Sequence, residues 1–400
     1  MTKKPLKIAH FNFGHNTNKG DSAIILSIQD ILKETLGKDL VIDSFPIQHL
    51  VYRTYISFSQ TFFDKIKATK NTFLVLIFRI ILLPFALLAF LKDLIMVFKV
   101  NQCDLVVIGG GGVYSPRWTL PFKDNIINLF RPKIVIFAAG YGQSKKDLDL
   151  NKKQIKSLDN LHQKASLHSV RDKNTYDLFQ SINKKYQPEI IIDPAIKLAS
   201  RKVEKIHFDK NKFKIGVNLA YHDWTGQSTY LNTMINSYSQ TLNNLIQKKP
   251  EIELYYMVHS SFEYIHEGKK TSEFDAINLL QEKLNKKMIV CDYPARELKY
   301  IYENLDFSIC MMLHSSILAF GSTIPFVSIG YDQKNRAFME FIKMEEAFID
   351  VSELNSHNME QKIEYLISNL NQRKDDLLRK KAELEKKLDD FVSSIKTLVV

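Results

Sequence analysis

His314 stands where an apolar run ends and a small-residue stretch begins, in Leu313-His314-Ser315-Ser316-Ile317-Leu318-Ala319-Phe320-Gly321-Ser322-Thr323-Ile324-Pro325. An imidazole between a strand end and a helix start can act as general acid or base near neutral pH. Lys334 follows the next apolar run, Phe326 to Ile329, by way of Tyr331-Asp332-Gln333, and can reach the same cleft as a partner for phosphate or carboxylate. Earlier in the chain, Asp104 to Ile108 (DLVVI) runs into Gly109-Gly110-Gly111-Gly112. Successive glycines cost backbone entropy on folding. They make sense where backbone must approach a ligand closely, or where N–H groups form a nest for an anion. Tyr114, Ser115, Arg117 and Trp118 follow at the same edge. A third loop, Phe13 to Asp21, leads into Ser22-Ala23-Ile24. There Gly20 permits an unusual backbone angle, Asp21 or Ser22 can cap the helix, and the amides at that terminus face an anion. Its spacing is neither GxGxxG nor a Walker loop, since Lys19 lacks the following Ser/Thr. His222 and His259, each just after an apolar run, are weaker cleft candidates, whereas His10, His162, His207, His266 and His357 read as surface or packing residues.

These loops need strands to present them at one edge. Short apolar runs alternate with helical stretches, the signature of parallel α/β layers. Strands are expected at Leu6–Asn12, Leu40–Ser44, Asp104–Ile108, Lys133–Ala138 (then Gly140-Tyr141-Gly142), Ser166–Val170 (then Arg171-Asp172) and Glu189–Ile192 (then Asp193-Pro194). A second series is expected at Phe213–Asn218, Leu254–Val258, Met288–Val290, Asp306–Cys310 and Phe326–Ile329. A helix is expected from Ser22 to Leu36 and one long surface helix from Met359 to Val392, packing back on the first layer. The division follows: a Rossmann-like domain over 1–199 with an apolar insertion at 71–100, a Lys-rich linker over 200–212, a second Rossmann-like domain over 213–350, and a helical segment over 351–400. Ligands in such folds lie beyond the carboxyl ends of the strands, here in the cleft between the layers.

With 400 residues, two to three domains and a large core need no staple. Three separated cysteines make neither a zinc site nor a disulfide framework, and the first residues lack an export signal, so a reducing cytoplasm is expected. No Asp-x-Asp or His/Glu cluster calls for a metal, and no cofactor is assigned. The net charge of +11 suits anionic metabolites or a membrane surface; the basic residues are spread out and no nucleic-acid-binding signature appears. Asn71 to Val100 is anomalous: from Phe73 to Leu91 only Arg79 and Pro84 interrupt nineteen residues. That length can span a bilayer, but a central arginine argues against a simple span. A buried helix pair and a helix lying in the membrane interface, with Arg79 and Lys92 snorkelling, remain; the interfacial reading, on the inner face of the cytoplasmic membrane, is adopted.

Taken in order, Asn18-x-Gly20-Asp21-x-Ala23, the strand and glycine loop from Asp104 to Gly112, Arg171-Asp172, Asp193-Pro194, and Leu313-His314 through Pro325 to Tyr331-Asp332-x-Lys334 resemble the polysaccharide pyruvyl transferases over roughly residues 7–340. The resemblance implies a GT-B-like fold. It also implies transfer of the enolpyruvyl carbons of phosphoenolpyruvate onto two hydroxyls of a glycan or lipid-linked oligosaccharide as a ketal, with release of phosphate. His314 would then be the acid/base, and Arg171, Lys334 and Arg117 the anion clamps. Asn18, Gly20, Asp21, Gly110, Gly111, Gly112 and Ser315 would line the substrate site. The chain departs from the family in one place: where the family has Arg-Leu-His, Met312 stands in the arginine's position. Arg117, Arg296 or Lys334 would have to substitute, or the donor differs, or the chain is inactive. A GT-B glycosyltransferase using a nucleotide sugar, and a non-catalytic scaffold in polysaccharide assembly, fit the same cleft.

Overall fold

The computed structural model describes residues 5–12, 18–46, 88, 91–112, 126–141, 152–220, 231–261, 263–266 and 269–399. Its first sheet is built from β1 (Lys7–Asn12), β2 (Val41–Pro46), β3 (Leu105–Gly109), β4 (Lys133–Ala139), β5 (Ala165–Val170) and β6 (Glu189–Ile190), in the order β2-β1-β3-β4-β5-β6 with every pair parallel. Residues between Lys197 and Phe213 form neither helix nor strand and lead to β7 (Phe213–Val217) and β8 (Ile252–Met257). A small antiparallel pair, β9 (Tyr264–His266) and β10 (Lys269–Thr271), precedes β11 (Ile289–Cys291), β12 (Phe307–Cys310), β13 (Phe326–Gly330) and β14 (Phe348–Asp350). The second sheet runs β11-β8-β7-β12-β13-β14, again all parallel.

A parallel sheet must be covered on both faces, and its strands read accordingly: Leu105 to Gly109 is buried at every position. The covering helices are α1 (Lys19–Leu36), α2 (Lys152–Lys164), α3 (Lys173–Ile182), α4 (Leu231–Lys248), α5 (Glu273–Lys283), α6 (Ala295–Glu303), α7 (Leu313–Gly321), α8 (Gln333–Phe341), α9 (Ser356–Ser368) and α10 (Leu370–Val399). Ile24, Ile28, Ile31 and Leu32 put the apolar stripe of α1 into the core. Fully burying one such side chain contributes about 1.5–3 kcal/mol.

Three expectations need correction. The tail is two helices, because α9 ends at Asn369, whose side-chain amide donates to the Tyr365 carbonyl at 3.0 Å. β14, only three residues long, was not expected and closes the edge of the second sheet. The first helix starts at Lys19 rather than Ser22, for a reason given below. The 30 residues of α10 extend about 45 Å and tie the two layers together. Near its start Arg373 pairs with Glu346 at 2.7 Å and Lys381 donates to the Gly321 carbonyl at 2.8 Å. Further on, Phe391 packs on Phe137 of β4 at 5.4 Å between centroids, and Asp389 pairs with Lys197 at 2.7 Å.

Candidate functional site

Each loop that the sequence singled out within the described residues follows the carboxyl end of a strand, and the structure links them into one crevice between the sheets. Asn18, extended at φ −96° and ψ 104°, caps α1: its side-chain oxygen accepts from the amides of Gly20 (3.0 Å) and Asp21 (3.3 Å). Asn18 therefore takes the role expected of Asp21 or Ser22, and Asp21 falls in the first turn, where a carboxylate favours the helix dipole. The same residue forms an isolated antiparallel bridge with Ser260 of the second domain, and the Lys19 amide donates to the His259 carbonyl at 3.1 Å. Lys19 is buried and its ammonium pairs with Asp292 just beyond β11.

The two domains meet closely at Gly20. A Cβ on it would lie 2.1 Å from Nδ1 of His314 and 2.3 Å from its Cγ. The imidazole of α7 thus rests directly on the first turn of α1, and glycine is there for space. His314 is 14% exposed; its Nε2 has no hydrogen-bond partner and lies 4.0 Å from Oδ2 of Asp193. Burial pushes its pKa down to about 3, aided by the positive charges of Arg171 and Lys334. At neutral pH the imidazole is therefore a neutral proton acceptor, and the expected acid role requires an anion in the crevice to offset those two cations.

Arg171, after β5, donates from Nη1 to Asp193 at 2.9 Å, with Asp172 at 3.8 Å from its Nε. Its guanidinium packs against Gly140, where a Cβ would be 2.5 Å from Nε. The Gly140 amide in turn donates to the carbonyl of Gly111 at 3.0 Å, which ties the glycine loop to the arginine. In that loop Gly110 and Gly111 adopt φ of +90° and +78°, a backbone region that suits glycine, and the Gly110 α-carbon faces Ile24 of α1. Around Gly112 a Cβ would meet nothing within 4 Å.

Lys334 lies in the first turn of α8, whose cap Asp332 accepts its amide at 3.2 Å. Burial lowers the pKa of its ammonium to about 8, the Asp332 carboxylate opposing and Arg171 reinforcing the shift. Burial likewise raises the Asp332 carboxyl.

Other candidates sit elsewhere. Ser315 is fully buried and its hydroxyl donates to the Met312 carbonyl at 2.6 Å, so it secures the turn beneath His314. Arg296 is engaged away from the imidazole, on Asp30 at 2.7 Å and the Ala199 carbonyl at 3.1 Å, so it does not fill the place of the family's arginine. Met312, half-buried, is the cap residue of α7. His259 is buried behind the crevice with Nε2 2.9 Å from the Tyr302 hydroxyl, and burial, His314 and Lys19 all lower its pKa. Arg117, Tyr114, Ser115, Trp118 and His222 lie outside the described residues. Sequence reasoning gave no role to Asp193, Gly140 or Lys19. Asp193-Pro194 after a strand was the available signal for the first, and the other two carry meaning only through contacts across the fold. Among the described residues no three His, Cys, Asp or Glu side chains are grouped to hold a metal.

Two parallel α/β layers with a cationic, histidine-bearing crevice at their strand ends define a GT-B-type scaffold. Solved structures share it at low identity. S. aureus MnaA in its co-structure with UDP has a TM-score of 0.54 at 14% identity, covering 93% of this chain and 91% of that one. A putative UDP-N-acetylglucosamine 2-epimerase from Listeria monocytogenes has 0.56 at 11%, covering 93% and 90%. Trehalose 6-phosphate synthase from Burkholderia multivorans has 0.53 at 10%, covering 99% and 97%. No curated protein matches the sequence. The polysaccharide pyruvyl transferase family model matches residues 18–333, and the chain belongs to that family of transferases.

Proposed function

We propose that the crevice transfers the pyruvyl carbons of phosphoenolpyruvate, as a ketal, onto two hydroxyls of a sugar in a surface-polysaccharide precursor. The observation that carries this reading is the convergence of an unpartnered imidazole nitrogen with Arg171 and Lys334 in one family-matched crevice. In the reaction the bond from C2 to the phosphate oxygen breaks, two C2–O bonds to the sugar form, and C3 takes up a proton. Of the two hydroxyl protons lost, one balances that delivered to C3 and the other leaves with phosphate. Arg171 and Lys334 neutralise the donor's phosphate and carboxylate. The donor's negative charge offsets those two cations and raises the pKa of His314 from its buried value, and the imidazole takes a hydroxyl proton and passes one on to C3. Gly20 forms the imidazole's floor, held by the Asn18 cap on the amides of Gly20 and Asp21, and the Gly110–Gly112 amides supply further donors. Incubation with phosphoenolpyruvate and a panel of glycans tests the reading: phosphate release that depends on the acceptor is expected. Met312 is the feature that favours another donor. Thermal stabilisation by a nucleoside diphosphate and not by phosphoenolpyruvate would decide for a nucleotide-sugar glycosyltransferase.

The lysine gives a pH signature. Lys334 is charged below about pH 8 and neutral above it. Donor affinity should be fully present below that pH, and KM for phosphoenolpyruvate should rise as pH passes upward through it. In Lys334→Met that rise should vanish, and KM should be high throughout.

The acceptor reading includes a membrane surface. In the helical segment over 91–100, Leu91, Leu94, Ile95 and Phe98 are exposed, Phe98 at 68%, and Leu88 is exposed as well. Lys92 and Lys99 are exposed beside them, the pattern of a helix lying on an anionic bilayer. No helix among the described residues is long and apolar enough to cross a membrane; residues 71–87 lie outside them. Co-sedimentation with anionic vesicles is expected, and Ile95→Ser with Phe98→Ser should weaken it by at least about tenfold, each lost side chain being worth about 1.5–3 kcal/mol. Unchanged partitioning of the double variant would remove the membrane from the account.

A further inference from the structure

Below the crevice, two buried polar side chains join the turn that carries His314 to the strand exit that meets the first domain. Asn218, just past β7, is fully buried. Its Oδ1 accepts the Met312 amide at 2.9 Å, and its Nδ2 donates to the Met257 carbonyl at 3.0 Å and to Oε1 of Glu273 at 3.1 Å. Glu273, the first residue of α5 and 1% exposed, accepts in addition the amides of His259 at 3.1 Å and Ser260 at 2.7 Å through Oε2. The Tyr256 hydroxyl faces the same carboxylate. His259 and Ser260 are the residues that meet Lys19 and Asn18. One continuous chain of hydrogen bonds thus runs from the cap of α7, through Asn218, Glu273 and His259, to the amino end of α1. At both ends it is one or two residues from the contact of His314 with Gly20.

The chemistry of this chain is selective. The amides and the Asn218 Nδ2 all donate to Glu273, so the position needs a group that accepts on both oxygens. A buried carboxylate is an expensive way to meet that need, because desolvation disfavours its charge. Here burial raises its pKa to about 8, with the amides and Lys19 opposing; below that pH one oxygen carries a proton yet keeps a lone pair that accepts, which an amide NH2 does not have. Apolar residues in both places would leave the buried amides of Met312, His259 and Ser260 without acceptors.

We propose that Asn218 and Glu273 are positioning residues that set the distance between the His314 turn and the amino end of α1, and so aim the imidazole into the crevice. The effect on turnover rests on the pyruvyl-transfer reading; the effect on the imidazole does not. Glu273→Gln keeps the shape but turns an NH2 group toward donated N–H groups. In the folded variant, assayed well below its melting temperature, kcat should fall about 10- to 100-fold while KM for phosphoenolpyruvate changes less than about threefold. Glu273→Asp, which keeps two acceptors one methylene short, should recover part of the loss. The 13Cε1 resonance of His314, assigned by its disappearance in His314→Gln, should move in Glu273→Gln and in Asn218→Ser. If the wild type releases no phosphate from phosphoenolpyruvate, the function reading fails, and the His314 resonance still decides the positioning claim. A folded Glu273→Gln with an unmoved resonance would overturn the proposal. So would unfolding of both Glu273→Gln and Asn218→Ser, which would make the pair purely structural.

Discussion

Alanine at position 20 should lower turnover by about 10²-fold. The added Cβ would fall 2.1 Å from Nδ1 of His314, closer than any real contact, so something must move. Rotating the ring alone does not clear the clash, because the added Cβ also lies 2.8 Å from Cβ of His314. Either α1 shifts or the ring leaves its place, and a displacement of about 1 Å near the chemistry costs roughly 10²-fold in rate. Stability should fall less. Overpacking costs about 1–3 kcal/mol, and alanine returns about 0.5–1 kcal/mol of helix propensity over glycine. Steady-state kinetics beside a thermal melt separates the two. A variant with wild-type kcat would mean that the interdomain contact at Gly20 plays no part in the chemistry.

The second large effect is expected from Arg171→Met. It leaves the Asp193 carboxylate, 3% exposed, without its guanidinium, while the Ala195 amide still donates to it at 3.0 Å. Breaking a buried pair from one side costs about 3–5 kcal/mol. For a chain of 400 residues that corresponds to a melting point lower by about 4–6 °C. The same substitution removes one of the two cations that hold the pKa of His314 down, so the imidazole should titrate at higher pH than in the wild type. On the proposed pyruvyl-transfer reading donor binding should weaken as well, because Arg171 is one of the two cations assigned to the donor's phosphate and carboxylate. A melting point within 2 °C of the wild type would show that Asp193 does not depend on this partner.

The parallel layers were legible because their strands are bare runs of Ile, Val and Leu ending in glycine, arginine or histidine, as in Asp104 to Gly112. The crevice was legible for the same reason: its loops follow those runs. What escaped the sequence lies in contacts between distant residues. That Gly20 makes room for an imidazole 294 positions away leaves no local trace. Nor do Asn218, expected as the last residue of a strand, and Glu273, the first residue of α5, because the partners of each lie on other elements. The start of α1 was misjudged because Asn18 and Asp21 are both good caps, and only the extended backbone of Asn18 decides between them. Arg296 was a plausible replacement cation by sign alone, and its ion pair with Asp30 shows where that charge is used.

The place of Met312 can be probed directly, but the donor chemistry can be read more directly still. Run in D2O with phosphoenolpyruvate and an accepted glycan, the reaction should yield a product whose ketal methyl group carries one deuterium, seen by NMR as CH2D, with one phosphate released per ketal. His314→Gln should make neither. Sugar transfer from a nucleotide donor with no methyl resonance, or a ketal formed at the wild-type rate by His314→Gln, would contradict the account.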